Sequence, residues 1–404
     1  MGRERMSSPD LPLSGVRVLE MSQIMAGPIC GLMLADMGAE VIKVEKFPGG
    51  DDARGYARPG DPGLGPGFVM LNRGKRSIAI DIRKDAGQAI IKKMAASCDI
   101  VTENFRRGKM DALGLGYEHL SAINPQLVYC SISGYGPNGP LSDKGGFDLV
   151  LQAFSGLISV TGSKQGELAK PGNSVADINA GILAALGCVS AYVKRLRTGS
   201  GSKVETSLLQ ASLQQMYWFA AAYFHDGTIA KPMGTSHPLI APYQTFQCKD
   251  GAIALGGGNQ ANWQRIAEVL GHPEWLQDPR FTTGRDRLGH QAALEALITE
   301  ALSAHPADHW VEVLDRAGVP VGPVHNVHQA MEHEQSKAIS MVVDVDHGQG
   351  GKTRSLGLPI HFDGKAPFAS SAAPLVGQQT REVLKLFGYD DAQITALQEA
   401  KVVQ

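Results

Sequence analysis

An open α/β fold, in which helices cover a sheet of parallel strands and a smaller α+β unit follows, is predicted from three observations. Short β-type runs alternate with helical runs through the first half of the 404-residue chain, and a hairpin followed by helices replaces that rhythm after residue 236. Glycine is also uneven: 30 of the 48 fall in residues 1–201 and 18 in 202–404, so tight turns and close backbone approaches belong to the first half.

Taken in order, residues 16–21 read as a strand, 27–37 as an apolar helix stopped by Gly38, and 40–45 (EVIKVE) as a second strand. A βαβ unit of this length implies parallel strands joined by a right-handed crossover. The pattern repeats with a strand at 77–81, a helix at 85–96, a strand at 99–103, a helix at 111–123 and a strand at 127–133. Residues 47–75, with eight glycines and four prolines, read as a long irregular segment, either a functional loop or a linker. A long helix over 178–197 ends at Thr198-Gly199-Ser200-Gly201, and a second helical run covers 205–224. Residues 243–248 and 252–256 flank a Lys249-Asp250-Gly251 turn as a hairpin, and helices at 262–270, 292–304 and 308–317 follow. The tail reads as strands at 341–345 and 355–362 and helices at 378–387 and 391–400. The domain organisation expected is 1–201 for the large domain, a linker at 202–236, a small domain at 237–320, a linker at 321–340 and a return to the large domain at 341–404.

Composition excludes several classes. Lys and Arg number 38 against 40 for Asp and Glu, so no global field draws the protein to nucleic acid or an anionic bilayer. An anionic ligand must therefore be met by local charge. No run reaches 18 uninterrupted apolar residues, and the N-terminus lacks the apolar core of a signal peptide, so no membrane association is expected. Cys30, Cys98, Cys130, Cys188 and Cys248 form no C-x-x-C pair, which argues against a zinc site or a disulfide framework and fits a reducing cytoplasm. His305, His309, His325, His328 and His333 lack an H-E-x-x-H pattern, and no metal is expected. The turn Ser22-Gln23-Ile24-Met25-Ala26-Gly27-Pro28 lacks G-x-G-x-x-G, so NAD is not expected, although a phosphate-bearing ligand suits the helix N-terminus.

Local chemistry singles out three places. Basic clusters stand at Arg73-Gly74-Lys75-Arg76 and at Arg106-Arg107-Gly108-Lys109. Asn104-Phe105-Arg106 and Gly134-Tyr135-Gly136 lie beyond strand carboxyl ends, where open α/β sheets bind ligands. Asp177 stands among small and apolar residues before the long helix. It reads as an N-cap held ionised by first-turn N–H groups, a role that leaves it able to act as a nucleophile.

Together these motifs resemble the class III CoA-transferases, the formyl-CoA transferase-like (CaiB/BaiF) group. The likeness runs almost end to end and is carried by Met25-Ala26-Gly27-Pro28, the 38–45 strand, Asn72-Arg73-Gly74-Lys75-Arg76, Glu103-Asn104-Phe105, Gly134-Tyr135-Gly136 and the Asp177 segment. The resemblance implies a Rossmann-like large domain built from both chain ends, a small middle domain and an interlocked homodimer. It implies CoA transfer from an acyl-CoA donor, with succinyl-CoA as a candidate, to a small carboxylic acid through aspartyl anhydride and aspartyl-CoA thioester intermediates on Asp177. It points to Met25, Ala26, Lys46, Ile80, Arg83, Asn104, Phe105, Arg106, Lys144, Gly145 and Asp148 as residues that hold CoA. One departure is Ala112, where formyl-CoA transferase has an arginine, for which Arg106, Arg107 or Lys109 could substitute. The related α-methylacyl-CoA racemases use a histidine where this chain has Phe147, which cannot exchange a proton, so transfer is favoured over racemisation.

Overall fold

The computed structural model describes residues 11–56, 65–346 and 352–404; residues 57–64 of the glycine-rich segment lie outside the described residues. Two compact units divide the chain, one made of residues up to 157, 170–228 and 334–404, the other of 158–169 and 229–333.

The first unit is built on a six-stranded parallel sheet of β1 (Arg17–Met21), β2 (Glu40–Lys46), β3 (Arg76–Ile80), β4 (Ile100–Glu103), β5 (Val128–Ser133) and β6 (Ser202–Ser207), in the spatial order β3-β2-β1-β4-β5-β6. That is the doubly wound order, in which the crossovers reverse direction between β1 and β4. Strand periodicity sorts the core into two layers. Val18, Val41, Ile100 and Val128 pack against α1 (Ala26–Asp36) and α7 (Val175–Thr198), while Leu19, Ile42, Val101 and Tyr129 pack against α3 (Asp85–Ala95) and the tail helices Thr380–Leu386 and Asp391–Glu399.

Between these lie α2 (Pro66–Asn72), α4 (Lys109–Ala112), α5 (Tyr117–Ile123) and α6 (Asp148–Phe154). The single helix expected over 111–123 is two, because Gly114 adopts a φ of 65° and Gly116 lies directly against Asp111. The helix expected from 205 is preceded by a strand. Residues 202–207 alternate exposed Lys203 and Glu205 with their neighbours and pair with β5 as the sheet edge, and α8 (Leu208–Gln214) and α9 (Tyr217–Asp226) then follow. The stretch read as a linker at 202–236 thus supplies a sheet strand and two helices.

The chain's return is fastened by buried charge. Arg73 pairs with Asp36 and donates to the carbonyls of Leu356 (2.8 Å) and Ala369 (3.1 Å), while Arg54 pairs with Glu45 (2.6 Å) and reaches the Pro374 carbonyl (3.0 Å). Three of the cysteines scattered in sequence, Cys30, Cys130 and Cys188, meet inside the α1/α7 layer as free thiols, with Cys188 within hydrogen-bonding reach of the other two.

Helix α7 is long and apolar enough to cross a membrane on length and composition alone. One of its faces is made of Ala176, Ala180, Gly181, Ala184, Ala185, Cys188 and Ala191 and is buried against the unit, whereas Leu186 and Leu196 remain 61% and 68% exposed. The close seat needs glycine: a methyl group at Gly181 would stand 2.6 Å from the Ala26 carbonyl oxygen.

In the second unit the expected hairpin forms from Tyr243–Gln247 and Ala252–Gly256, joined antiparallel by Val321–Pro323. Its core holds Trp263 stacked on Trp275 at 6.1 Å, with Phe281, Leu294, Ile298 and Leu314.

Helix α1 lies on the polar ends of β1 through Gly27 and Gly31, four residues apart on one helix face. A methyl at Gly31 would stand 1.8 Å from Glu20 Oε2, whereas at the exposed Gly67 of α2 nothing lies within 4 Å. Gly31→Ala should therefore lower stability by about 2–4 kcal/mol, and Gly67→Ala should raise it by about 0.5–1 kcal/mol. Urea unfolding of both variants checks this; equal midpoints would mean that α1 does not need its notch.

Candidate active site

The strands β1 and β4 are neighbours whose following segments diverge, which opens a crevice at their carboxyl ends. The turn after β1 is held there from below. Lys43, fully buried on β2, donates to the Ser22 carbonyl (2.9 Å) and pairs with Glu20 (3.0 Å) and Asp51 (2.9 Å). Asp51 in turn accepts the Ile24 N–H at 3.0 Å, holding Ile24 at a φ of 70°, a left-handed conformation that a β-branched residue adopts only under constraint. From β4, Asn104 accepts the Gln23 N–H (3.0 Å) and donates to the Gln23 carbonyl (2.8 Å). Lys75 closes the set, pairing with Glu20 at 2.8 Å and donating to the Pro28 carbonyl at 2.8 Å. Two buried cations thus face two buried anions.

Two cavities open beside this turn. The larger, about 540 Å³, is lined by Lys46, Ile80, Arg83, Asn104, Phe105 and Arg106 among the residues singled out in the sequence. The smaller, about 200 Å³, is lined by Ala26, Lys144, Gly145 and Asp177, and again by Asn104, Phe105 and Arg106. The Asn104-Phe105-Arg106 segment is therefore a shared wall. Gly145 lets the Arg106 guanidinium lie close to its backbone, since an added methyl would stand 3.0 Å from Nε. Two of the residues singled out line neither cavity. The Met25 carbonyl accepts the Ile29 N–H at the start of α1, and Asp148 lies under the N-terminus of α7.

In the larger cleft Lys46 pairs with Asp52, and Arg83 with Asp81 at 2.8 Å. The acidic partners were not singled out in the sequence; the one signal was the two-residue spacing of Asp81 and Arg83. Of the three cations considered as replacements for an arginine at Ala112, Arg106 and Lys109 line this cleft. Arg107 does not: it donates to Ser142 Oγ at 2.5 Å and faces Asp143 at 3.5 Å.

Comparison with known proteins places this arrangement. The model of CoA-transferase family III matches residues 13–380. The chain belongs to that family. Its relatives include the succinyl-CoA:glutarate CoA-transferase of Homo sapiens, 34% identical, with 97% of this chain and 90% of that protein covered. They also include the acetyl-CoA:oxalate CoA-transferase of Acetobacter aceti (34%; 96% and 98% covered) and the succinyl-CoA–D-citramalate CoA-transferase of Chloroflexus aurantiacus (34%; 98% and 99%). Among solved structures, a CaiB/BaiF family protein from Brucella suis is 36% identical with a TM-score of 0.84, covering 93% of this chain and 99% of that one. The protein is a family III CoA-transferase, an enzyme that moves CoA between acyl-CoA and carboxylic acids.

In this transferase Asp177 is not the cap of α7. The helix begins at Val175, so Asp177 sits within its first turn, and the N–H groups of Ala176 (2.9 Å) and Asp177 (3.3 Å) are taken by the Asp148 carboxylate instead. The consequence reverses the expectation of a carboxylate held ionised. Burial, assisted by the negative charge of Asp148, pushes the Asp177 carboxyl up to about 7.

Two measurements follow. Asp148→Asn keeps an acceptor for the two N–H groups but removes the charge, so the Asp177 pKa should fall by about 0.5–1 unit. The acid limb of the kcat/KM profile should move down with it; an unmoved limb would show that Asp148 does not act on Asp177. Because the folded pKa lies above the unfolded one, the stability associated with this carboxyl is full below about pH 4 and lost as pH rises through about 7. Asp177→Asn should then stabilise the fold by about 1–3 kcal/mol at pH 8 and leave it nearly unchanged at pH 4, read from thermal unfolding at both values.

Proposed function

We propose that this transferase passes CoA from an acyl-CoA, with succinyl-CoA as donor, to a short dicarboxylic acid through covalent intermediates on Asp177. The observation that carries the reading is the position of Asp177 in a small cavity that shares the Asn104-Phe105-Arg106 wall with a cleft roomy enough for a cofactor-sized ligand. The dicarboxylic class is supported by the relatives, named for glutarate, oxalate and D-citramalate.

The donor's CoA moiety would occupy the larger cleft, with Lys46, Arg83, Arg106 and Lys109 meeting its phosphates and Ile80 and Phe105 its apolar parts. The ionised Asp177 attacks the thioester carbonyl, the carbon–sulfur bond breaks, and an acyl–aspartyl anhydride and CoA thiolate result. The thiolate attacks the aspartyl carbonyl, releasing the donor acid and leaving an aspartyl-CoA thioester. The acceptor carboxylate attacks that thioester to give a new anhydride and thiolate, and attack of the thiolate on the acceptor's acyl carbon forms the product and restores the carboxylate. A carboxyl with a pKa of about 7 suits the nucleophilic attack, since half of it is ionised near neutrality and a weakly stabilised carboxylate is the more reactive nucleophile. Phe147 lines the Asp177 cavity where a racemase needs a base, which supports transfer over racemisation.

The exposed apolar face of α7, with Ile182, Leu186, Val193 and Leu196, supports a homodimer, because such a stripe is costly to leave in water. The five free thiols suit a reducing cytoplasm.

Incubation with succinyl-CoA and a panel of acids, followed by mass spectrometry of new CoA thioesters, tests the activity. Asp177→Ala should lower turnover by at least about 10³-fold and abolish a hydroxylamine-trappable adduct on the protein. Full turnover by the variant would remove Asp177 from the chemistry.

A further inference from the structure

The cavity of Asp177 is bordered by three cations, Arg106, Arg107 and Lys144, and they are not equivalent. Arg107 is occupied by Ser142 and Asp143. Arg106 also lines the larger cleft, and its guanidinium lies close to the Gly145 backbone at the junction of the two spaces. Lys144 lines only the Asp177 cavity, stands exposed on the loop before α6, and its ammonium makes no ion pair or hydrogen bond among the described residues.

We infer that Lys144 is a specificity residue that binds the far carboxylate of a dicarboxylic substrate, rather than a residue that holds CoA. The inference rests on the proposed transfer chemistry and names which end of the substrate this side chain reads. A diacid that offers one carboxylate to Asp177 leaves the other at the cavity mouth, a few carbons away. A monocarboxylic acid of equal length places a methyl group there. Leaving the ammonium with a methyl forfeits a charge-assisted hydrogen bond, so the lysine discriminates between acids of one size by charge alone. The long lysine stem reaches diacids of different length without demanding one geometry, as an arginine fork would. The loop also keeps the two recognition tasks apart, because Gly145 adjoins the cation shared with the larger cleft while its neighbour in sequence carries the cation that is not shared.

The experiment compares glutarate with valerate, both of five carbons, as acceptors at saturating succinyl-CoA, and measures free CoA binding by calorimetry. In the parent enzyme, KM for glutarate should lie well below that for valerate. Lys144→Met should raise KM for glutarate about 10- to 100-fold, leave KM for valerate unchanged and keep the Kd of free CoA within about twofold. Lys144→Arg should restore most of the preference. Equal losses for the two acids, or weakened CoA binding, would place Lys144 on CoA and overturn the inference. So would a parent enzyme that uses valerate as well as glutarate, although transfer itself would then stand. A parent enzyme that moves CoA to no acid overturns the activity reading and the inference together, and this is seen before any substitution is made.

Discussion

The site depends on one buried ammonium. Lys43 joins Glu20 of β1, Asp51 of the loop after β2 and the carbonyl of Ser22, so two strands and two loops converge on a single charge that water does not reach. Burial opposes ionisation of every member, yet Lys43 is held above its ordinary pKa by Glu20 and Asp51, and Glu20 below its own by Lys43 and Lys75. Burial dominates at Lys75, which is pulled down to about 8. Removing one partner from such a set leaves an uncompensated buried charge, a loss of about 3–5 kcal/mol in comparable cases. The return for that risk is a turn that has little freedom to relax: Ser22, Gln23 and Ile24 each have a backbone group tied to Lys43, Asn104 or Asp51.

That rigid turn explains the glycines of α1. A helix that begins at a ligand crevice must pass over the polar ends of the strands beneath it, and Gly27 and Gly31 are the notches that receive Ser22 and Glu20. It also bears on the near-zero net charge. Buried charge on the α1 side of the sheet is paired, as in Arg73 with Asp36 and Arg54 with Glu45, and around the two cavities Arg106, Lys109 and Lys144 have no ion-pair partner among the described residues. A protein with almost balanced charge can in this way present a locally cationic surface to an anionic substrate.

Much of the fold was legible because short runs rich in Val and Ile stand between helical runs and turn residues: β1 to β5 were read within one residue of their observed ends. The misreadings occurred where local pattern was weak. β6 carries Lys203 and Glu205 at an exposed sheet edge, and its strand character comes from pairing with β5, about 74 residues earlier. The 111–123 helix looked continuous because a glycine in a helical pattern is tolerated until its φ turns positive, which the sequence does not state. At the site, Asn104-Phe105-Arg106 was legible as a strand end and Lys46, Ile80 and Arg83 through the family resemblance, whereas Asp81 and Asp52, which hold Arg83 and Lys46, were not.

What the sequence by itself determined is the order of strands and helices, membership of the CoA-transferase family and the aspartate that stands at the head of α7. These are carried by hydrophobic period, turn residues and motifs within a few positions of one another. Only the tertiary structure decided that Asp148 rather than Asp177 caps α7, that burial together with the Asp148 charge raises the Asp177 carboxyl to about 7, and that Lys144 lines one of the two spaces whereas Arg106 lines both. The physical reason is the same in each case. A carboxyl's pKa and a cation's assignment are set by burial and by charges that strand register brings together from positions about 30 to 80 residues apart, and no local pattern records those distances.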